Sequence, residues 1–472
     1  MVSSKTGKQN LEGGNAAIAF IRQKDAPILP APLSSAGAAG WLYENIFASM
    51  LDFSSVGAIV KSISMALFTV IVTYVFVSQI YGLIDFAILS AVWEDPEGQK
   101  RQVCWTIDQG GSLPDGWRGA CWPYIVAKTK FILYGAYPAE SLWRVNTTYL
   151  LGAVMLAWVL LERLPYRKFV GILLLTIYPI FATIMLTGGG FGLSQFSVGL
   201  NTIIGLALIS FGRLGKAGWV TGPLLDLSKI AGVVGWFFIF LAATLVSVGV
   251  DFDLTKIDTR DWGGLLITLV VATTAIVVSL PLGILLALGR RSSMPVARTL
   301  SIVFIEFWRG VPLITVLFMA SVMIPLFMPE GVNFDSLLRA LIGVTLWQSA
   351  YMAEVIRGGL QAIDKGQYEG ADAVGLSYWQ SMRLVILPQA LTHVLPGIVN
   401  TVISVFKDTS LVSIVGLFDL LGATQSTIAD AAWSTPVQAS TGYLVVASIF
   451  FLFCFGMSRY SIHLERKLNR GH

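Results

Sequence analysis

Two places in this apolar chain hold charges where a hydrophobic run should not. Glu306-Phe307-Trp308-Arg309 runs into Gly310-Val311-Pro312, which breaks the helix and frees backbone groups, and Lys407-Asp408-Thr409-Ser410 closes another apolar stretch. An ionised side chain at the bilayer centre costs roughly 2.5–3.5 kcal/mol on insertion scales, so such groups are kept for a partner or a solute path. A zwitterionic solute presents an ammonium and a carboxylate and would be met by both signs together with polar donors. Arg309, Lys407 and Asp408 are the candidates for that path, with Gln348 and Thr409 as polar support. A structural reading stands beside it. Glu306 and Arg309, and likewise Glu354 and Arg357, are three residues apart and suited to pairing along one helix face. For Lys407 and Asp408 both readings stay open.

Other chemistry is thinly represented. The cysteines and histidines (His393, His463 and His472) show no ligand spacing, so no metal site is expected. Gly188-Gly189-Gly190-Phe191-Gly192 follows no strand and precedes no Lys-Ser/Thr; it reads as a flexible external turn rather than a phosphate cradle. The chain carries no nucleotide motif of its own, nothing that reads nucleic acid, and no residues set up for covalent catalysis.

A third feature is the polar stretch EGADAVGLSYWQSMRLVILP, Glu369 to Pro388. It is too long for a simple turn between spans. Its small residues, central Gly375 and terminal Leu387-Pro388 predict a short amphipathic helix, a turn at Gly375, and a second segment that Pro388 returns to the bilayer. Such a surface helix-turn-helix suits a docked soluble partner.

The elements that must position these residues are membrane helices. A mean hydropathy of +0.71 with 13% charged residues makes lipid the natural solvent. Apolar runs at 63–90, 146–162, 169–187, 197–212, 231–250, 263–288, 300–327, 337–357, 390–409 and 441–460 give about ten transmembrane helices in an all-α, polytopic fold. Placing the N-terminus inside puts the Lys/Arg-rich connections, among them Arg163, Arg167, Arg213, Arg290, Arg291 and Arg383, on the cytoplasmic side. The C-terminal Arg466-Lys467 then lies there too. Residues 1–60, with no leader-like apolar segment, read as a largely disordered cytoplasmic tail with an amphipathic lead-in near Trp41 to Leu51. Residues 61–261 form an accessory membrane region whose long loop, 92–145, is periplasmic. There Cys104 and Cys121 either close a disulfide or stay reduced and packed; both are open. Residues 262–466 hold the motifs argued above, with the polar connection over 360–388.

Within that last region RGVPLITVLF (309–318), AEVIRGGLQAIDKGQYEGADAVGL (353–376), LVILPQAL (384–391) and FKDTSLVSIVGLFDL (406–420) resemble the permease subunits of polar amino-acid ABC importers. The polar loop is similar to the EAA loop of that superfamily. Glu369, Ala371, Gly375, Leu387 and Pro388 match, while Gly370 replaces the middle alanine and Val385 the usual isoleucine. Gly119 to Trp122, Tyr137-Pro138, Trp143-Arg144 and the ending Met457 to Lys467 resemble the larger permeases of general L-amino-acid and glutamate/glutamine/aspartate/asparagine importers. The resemblance implies a five-helix type I permease core, a bacterial inner-membrane location, and a heterodimer with a second permease. It also implies a periplasmic binding protein and a cytoplasmic ATPase dimer that holds the ATP and Mg. In it Glu369, Gly370, Ala371, Asp372, Gly375, Leu387 and Pro388 would transmit ATPase closure by lying in a groove of the ATPase. Two rivals remain: an ion-coupled secondary transporter of small zwitterionic solutes, and a membrane scaffold that docks a regulator without flux.

Overall fold

The computed structural model describes residues 56–98, 100–191, 195–219, 223–328 and 335–468; the expected tail over 1–55, with its lead-in at 41–51, and Gly192 lie outside them. The chain divides into two compact units, Met1–Phe86 and Ala87–His472. The first contributes α1 (Val56–Ile84), whose Phe68, Tyr74 and Phe76 are all exposed. A helix that is apolar all round is at home in lipid. Its Thr69 and Ser78 hydroxyls donate back to the carbonyls of Met65 and Val75, so they too are satisfied within the helix.

The second unit is helical throughout, and its extended pairings among the described residues are isolated bridges. Its first helix, α2 (Trp122–Tyr134), is too short to span and packs on the later helices. Then come two hairpins. In α3 (Leu142–Leu160) and α4 (Arg167–Thr187), Tyr178 donates to the carbonyl of Thr148 at 3.0 Å. In α5 (Gln195–Lys216) and α6 (Pro223–Gly249), the helices touch through glycine. A Cβ on Gly212 would lie 2.7 Å from the Gly232 Cα, and one on Gly235 would lie 2.7 Å from the Gly205 carbonyl oxygen. Without a hydrophobic driving force in lipid, such close backbone approach supplies the packing.

The centre is α7 (Leu265–Arg290) against α10 (Ser336–Ala362), where a Cβ on Gly283 would sit 2.8 Å from Met352. Between them in sequence, α8 (Pro295–Gly310) and the helical run Leu313–Leu326, which opens with α9 (Leu313–Phe318), are bent by 104°. The apolar run at 300–327, counted as one span, is therefore two helices, broken where Gly310-Val311-Pro312 was expected to break it. The cause is Pro312, which holds Val311 extended and ends α8. The carbonyl freed at the break is used, Trp347 Nε1 donating to Val311 O at 3.0 Å, and further on Arg339 donates to Ser321 O in the π turn Met319–Met323. The chain continues through α11 (Lys365–Ala373), α12 (Tyr378–Ser381), α13 (Leu387–His393), α14 (Leu395–Asp408), α15 (Leu420–Ile428) and α16 (Gln438–Leu468). One buried cluster includes Leu266, Val271, Leu317, Val344 and Val412; a second, at the 360–388 end, includes Met352, Ile356, Leu360, Ile386 and Ala390.

Seven described helices are long and apolar enough to cross a membrane, eight with the bent pair taken as one span. The expected spans at 146–162 and 337–357 are present as α3 and α10, yet both fall short on apolarity. α10 is shielded by its neighbours along much of its length and so can carry Arg339, Gln348, Glu354 and Arg357. The glycine run is also not the flexible external turn expected of it. Gly188 to Gly190 all have positive φ, and Gly188 and Gly189 are buried. A Cβ on Gly188 would lie 2.7 Å from the Thr255 carbonyl oxygen, so glycine is needed for contact with the 250–256 segment.

Candidate functional site

The 360–388 connection is built as two capped helices around a left-handed turn. Asp364 caps α11 by accepting from Gly366 N at 2.8 Å. Gly375, at φ +76°, closes the helix: its N–H reaches Asp372 O at 2.9 Å, and Leu376 N reaches Ala371 O at 3.1 Å. Ser377 and Gln380 form a capping box at the start of α12. The expected helix, Gly375 turn and helix are present. Pro388 departs from expectation, because it lies inside a continuous helical run rather than at a re-entry bend. Residues Met382–Ile386 form a π turn that ends at Leu387, so Pro388 falls at the second position of α13, where a missing N–H costs little.

This connection is fastened to the spans beneath it. Arg291 Nη1, just past α7, donates to Leu360 O at 2.6 Å and to Tyr368 Oη at 3.0 Å. Its guanidinium also lies 5.5 Å from the Tyr368 ring centre. Gln389 Nε2 donates to Gln367 Oε1 at 3.0 Å, tying α13 to α11. Between them is a cavity of about 240 Å³ lined by Leu288, Arg291, Leu360, Tyr368, Asp372 and Met382. Ala371 is buried against the spans, whereas Glu369, Gly370, Asp372 and Gly375 face outward. Val374 (73% exposed) and Trp379 (60%) stand out beside them. An exposed apolar pair thus stands next to acidic groups on a firmly held connection.

The membrane charges form a network whose connections differ from those expected. Glu306 and Arg309 do not pair with each other. Glu306 Oε1 lies 2.8 Å from Arg290 Nη1, while Arg309 Nη1 lies 3.8 Å from Glu354 Oε2 with its guanidinium 5.8 Å from the Tyr351 ring centre. Neighbouring helices bring stronger partners: α7 supplies Arg290 and α10 supplies Glu354. The Glu354–Arg357 pair is present, with Arg357 Nε donating at 2.9 Å. Glu354 also receives Arg290 at 3.6 Å, so three guanidiniums converge on one carboxylate.

The path candidates are not gathered into one cluster. Gln348 is buried and donates to Thr401 O at 3.0 Å, and Thr409 is buried with its hydroxyl on Phe406 O at 2.8 Å. Lys407 is exposed and Asp408 half-buried on α14. Among the described residues no hydrogen bond or ion pair joins Arg309 to either. At the opposite end Cys104 and Cys121 are joined as a disulfide with Cα atoms 6.0 Å apart. Sequence reasoning missed Arg291 as the anchor of the loop and the contact of Lys128 with Asp430. Arg144 had no role legible from its spacing. Arg144 is buried and donates to the Met185 and Thr255 carbonyls, clamping α3 to the free carbonyl end of α4. Arg291 had no signal beyond its charge.

Residues 279–470 match the family of binding-protein-dependent transport system inner membrane components. The inner membrane amino-acid ABC transporter permease protein YhdY of Escherichia coli K12 is 40% identical over 445 residues, 94% of this chain and 97% of its own. The chain belongs to the amino-acid ABC transporter permeases. The glutamate/glutamine/aspartate/asparagine transport system permease protein BztC of Rhodobacter capsulatus is 41% identical over 464 residues, covering 96% of this permease and 99% of BztC. The probable glutamine ABC transporter permease protein GlnP of Bacillus subtilis is 33% identical over 207 residues, 43% of this permease and 91% of GlnP. Membership makes this chain the membrane-embedded subunit of an amino-acid importer, a transporter permease rather than an enzyme. It favours this reading over the ion-coupled alternative.

Proposed function

We propose that this permease lines the path for polar and acidic L-amino acids in a bacterial inner membrane and couples that path to a cytoplasmic ATPase dimer through residues 360–388. The observation that carries the reading is the outward face of α11 and α12. Glu369, Asp372, Val374 and Trp379 are presented on a helix pair that Arg291 and Gln389 hold rigidly to the spans. Closure of the ATPase would push on this pair, and the contact of Arg291 with Leu360 would pass the push to α7 and α10. ATP and Mg belong to the ATPase, and a periplasmic binding protein delivers solute to the opposite end. The BztC name, on a relative aligned over nearly its whole length, supports glutamate, glutamine, aspartate and asparagine as the solute class. A second homologous permease completes the path, in keeping with Arg309, Lys407 and Asp408 being spread over α8 and α14 rather than enclosing a site alone. The Lys/Arg distribution supports both termini lying in the cytoplasm.

The test is ATP-driven uptake by the reconstituted importer, wild type against Glu369→Lys. The charge reversal should abolish uptake and weaken retention of the ATPase on purification. Intact uptake with intact ATPase retention would remove the coupling assignment.

A further inference from the structure

The loop over 92–145 is a built cap rather than a tether. The Cys104–Cys121 disulfide closes it. Val92 and Cys121 form a bridge, and Trp117 Nε1 donates to Ser90 O at 2.7 Å. Glycine is required at 119, where a Cβ would lie 1.8 Å from the Ser90 carbonyl oxygen.

Its side-chain hydrogen bonds and ion pair to the transport region fall on one stretch, 427–441, spanning the connection from α15 to α16, while Ile132 and Gly135 pack against the start of α7. Cys121 N donates to Thr441 Oγ1 at 3.1 Å, and Tyr124 Oη shares a 2.6 Å hydrogen bond with Thr427 Oγ1. Lys128 pairs with Asp430. Arg101 donates to Ala431 O at 3.1 Å, and Trp105 donates to Ser434 O at 3.3 Å. The tip of that stretch is irregular, and Ala429, Ala431, Ala432 and Ser434 stay exposed. Beside it the cap holds Ile107 at its own surface, 63% exposed.

GlnP aligns over 91% of its length with only 43% of this permease, so a relative of about half the size lacks room for such a cap. The transport fold therefore does not need it. A rigid addition that fixes one exposed connection, at the end opposite the ATPase-facing loop, fits a soluble partner that presses on that connection.

We propose that the disulfide-closed cap positions residues 427–441 to engage the substrate-loaded binding protein, so that Lys128, Asp430 and the disulfide set how tightly that protein is held. This rests on the importer reading above.

The test is the ATPase rate of the complete importer in nanodiscs, titrated with substrate-loaded binding protein. Lys128→Asp and Asp430→Lys singly should raise the half-saturating concentration roughly fivefold, the scale of one part-exposed ion pair. The unstimulated rate should stay unchanged, and the double swap should return the wild-type value. A thiol reductant should shift wild type in the same direction and leave Cys104→Ser/Cys121→Ser unmoved. Unchanged half-saturation in the single variants would overturn the proposal. So would a double swap that does not restore it, or stimulated and unstimulated rates falling together. Lack of any stimulation in wild type would overturn the importer reading itself, and this inference with it.

Discussion

Glu354 is the residue on which the membrane charges depend. Glu354→Gln would leave Arg290, Arg309 and Arg357 with much less compensation and should lower stability by about 1–3 kcal/mol. Glu306→Gln should cost under about 1 kcal/mol, because Glu306 is 53% exposed and holds one partner. Thermal unfolding in detergent separates the two; equal losses would contradict the network. Gly370→Ala should raise helix stability by up to about 1 kcal/mol, since a Cβ there meets nothing within 4 Å. If instead it lowers ATPase retention, the glycine serves approach by the partner. At this scale the sequence showed the Glu354–Arg357 spacing but not the partner of Glu306. An i,i+3 spacing allows a pair, and only the packing of α8 on α7 and α10 decides which carboxylate wins.

Single elements respond to their ends. Asp364→Ala should destabilise α11 by about 1 kcal/mol through loss of the cap, seen as faster hydrogen exchange over 365–373. On the opposite side, Lys128 and then the Ala432 N–H hold the Asp430 carboxyl below the usual carboxylate range. A depressed folded value stabilises fully above the unfolded carboxylate value, about 3.9, and that contribution fades as pH falls through the folded value. The cap contact should therefore persist near about pH 5 and loosen only below about pH 4. Exchange over 427–441 in Asp430→Asn should already be fast at neutral pH; protection equal to wild type would contradict this. Among the elements, the Pro312 break and the Gly375 turn were legible, because each rests on one residue's backbone restriction. The continuous run through Pro388 was not, since a π turn leaves no compositional mark. α2 was hidden because its apolar face packs on helices distant in sequence.

At the scale of the whole molecule, composition fixed the solvent, and charge placement supports the proposed orientation. α3 and α10 carry apolar runs long enough to suggest spans, but neither is apolar enough along its length to count among the clear ones. Arg144 and Glu354 instead bind carbonyls and guanidiniums inside the bundle. The proposed function requires an ATPase and a binding protein beside this permease. Uptake of radiolabelled glutamate into proteoliposomes tests that account most directly, comparing this permease alone under an ion gradient with the full importer containing ATP. Uptake only by the full importer, dependent on ATP and on the binding protein, is the predicted result. Gradient-driven uptake by this chain alone would contradict it.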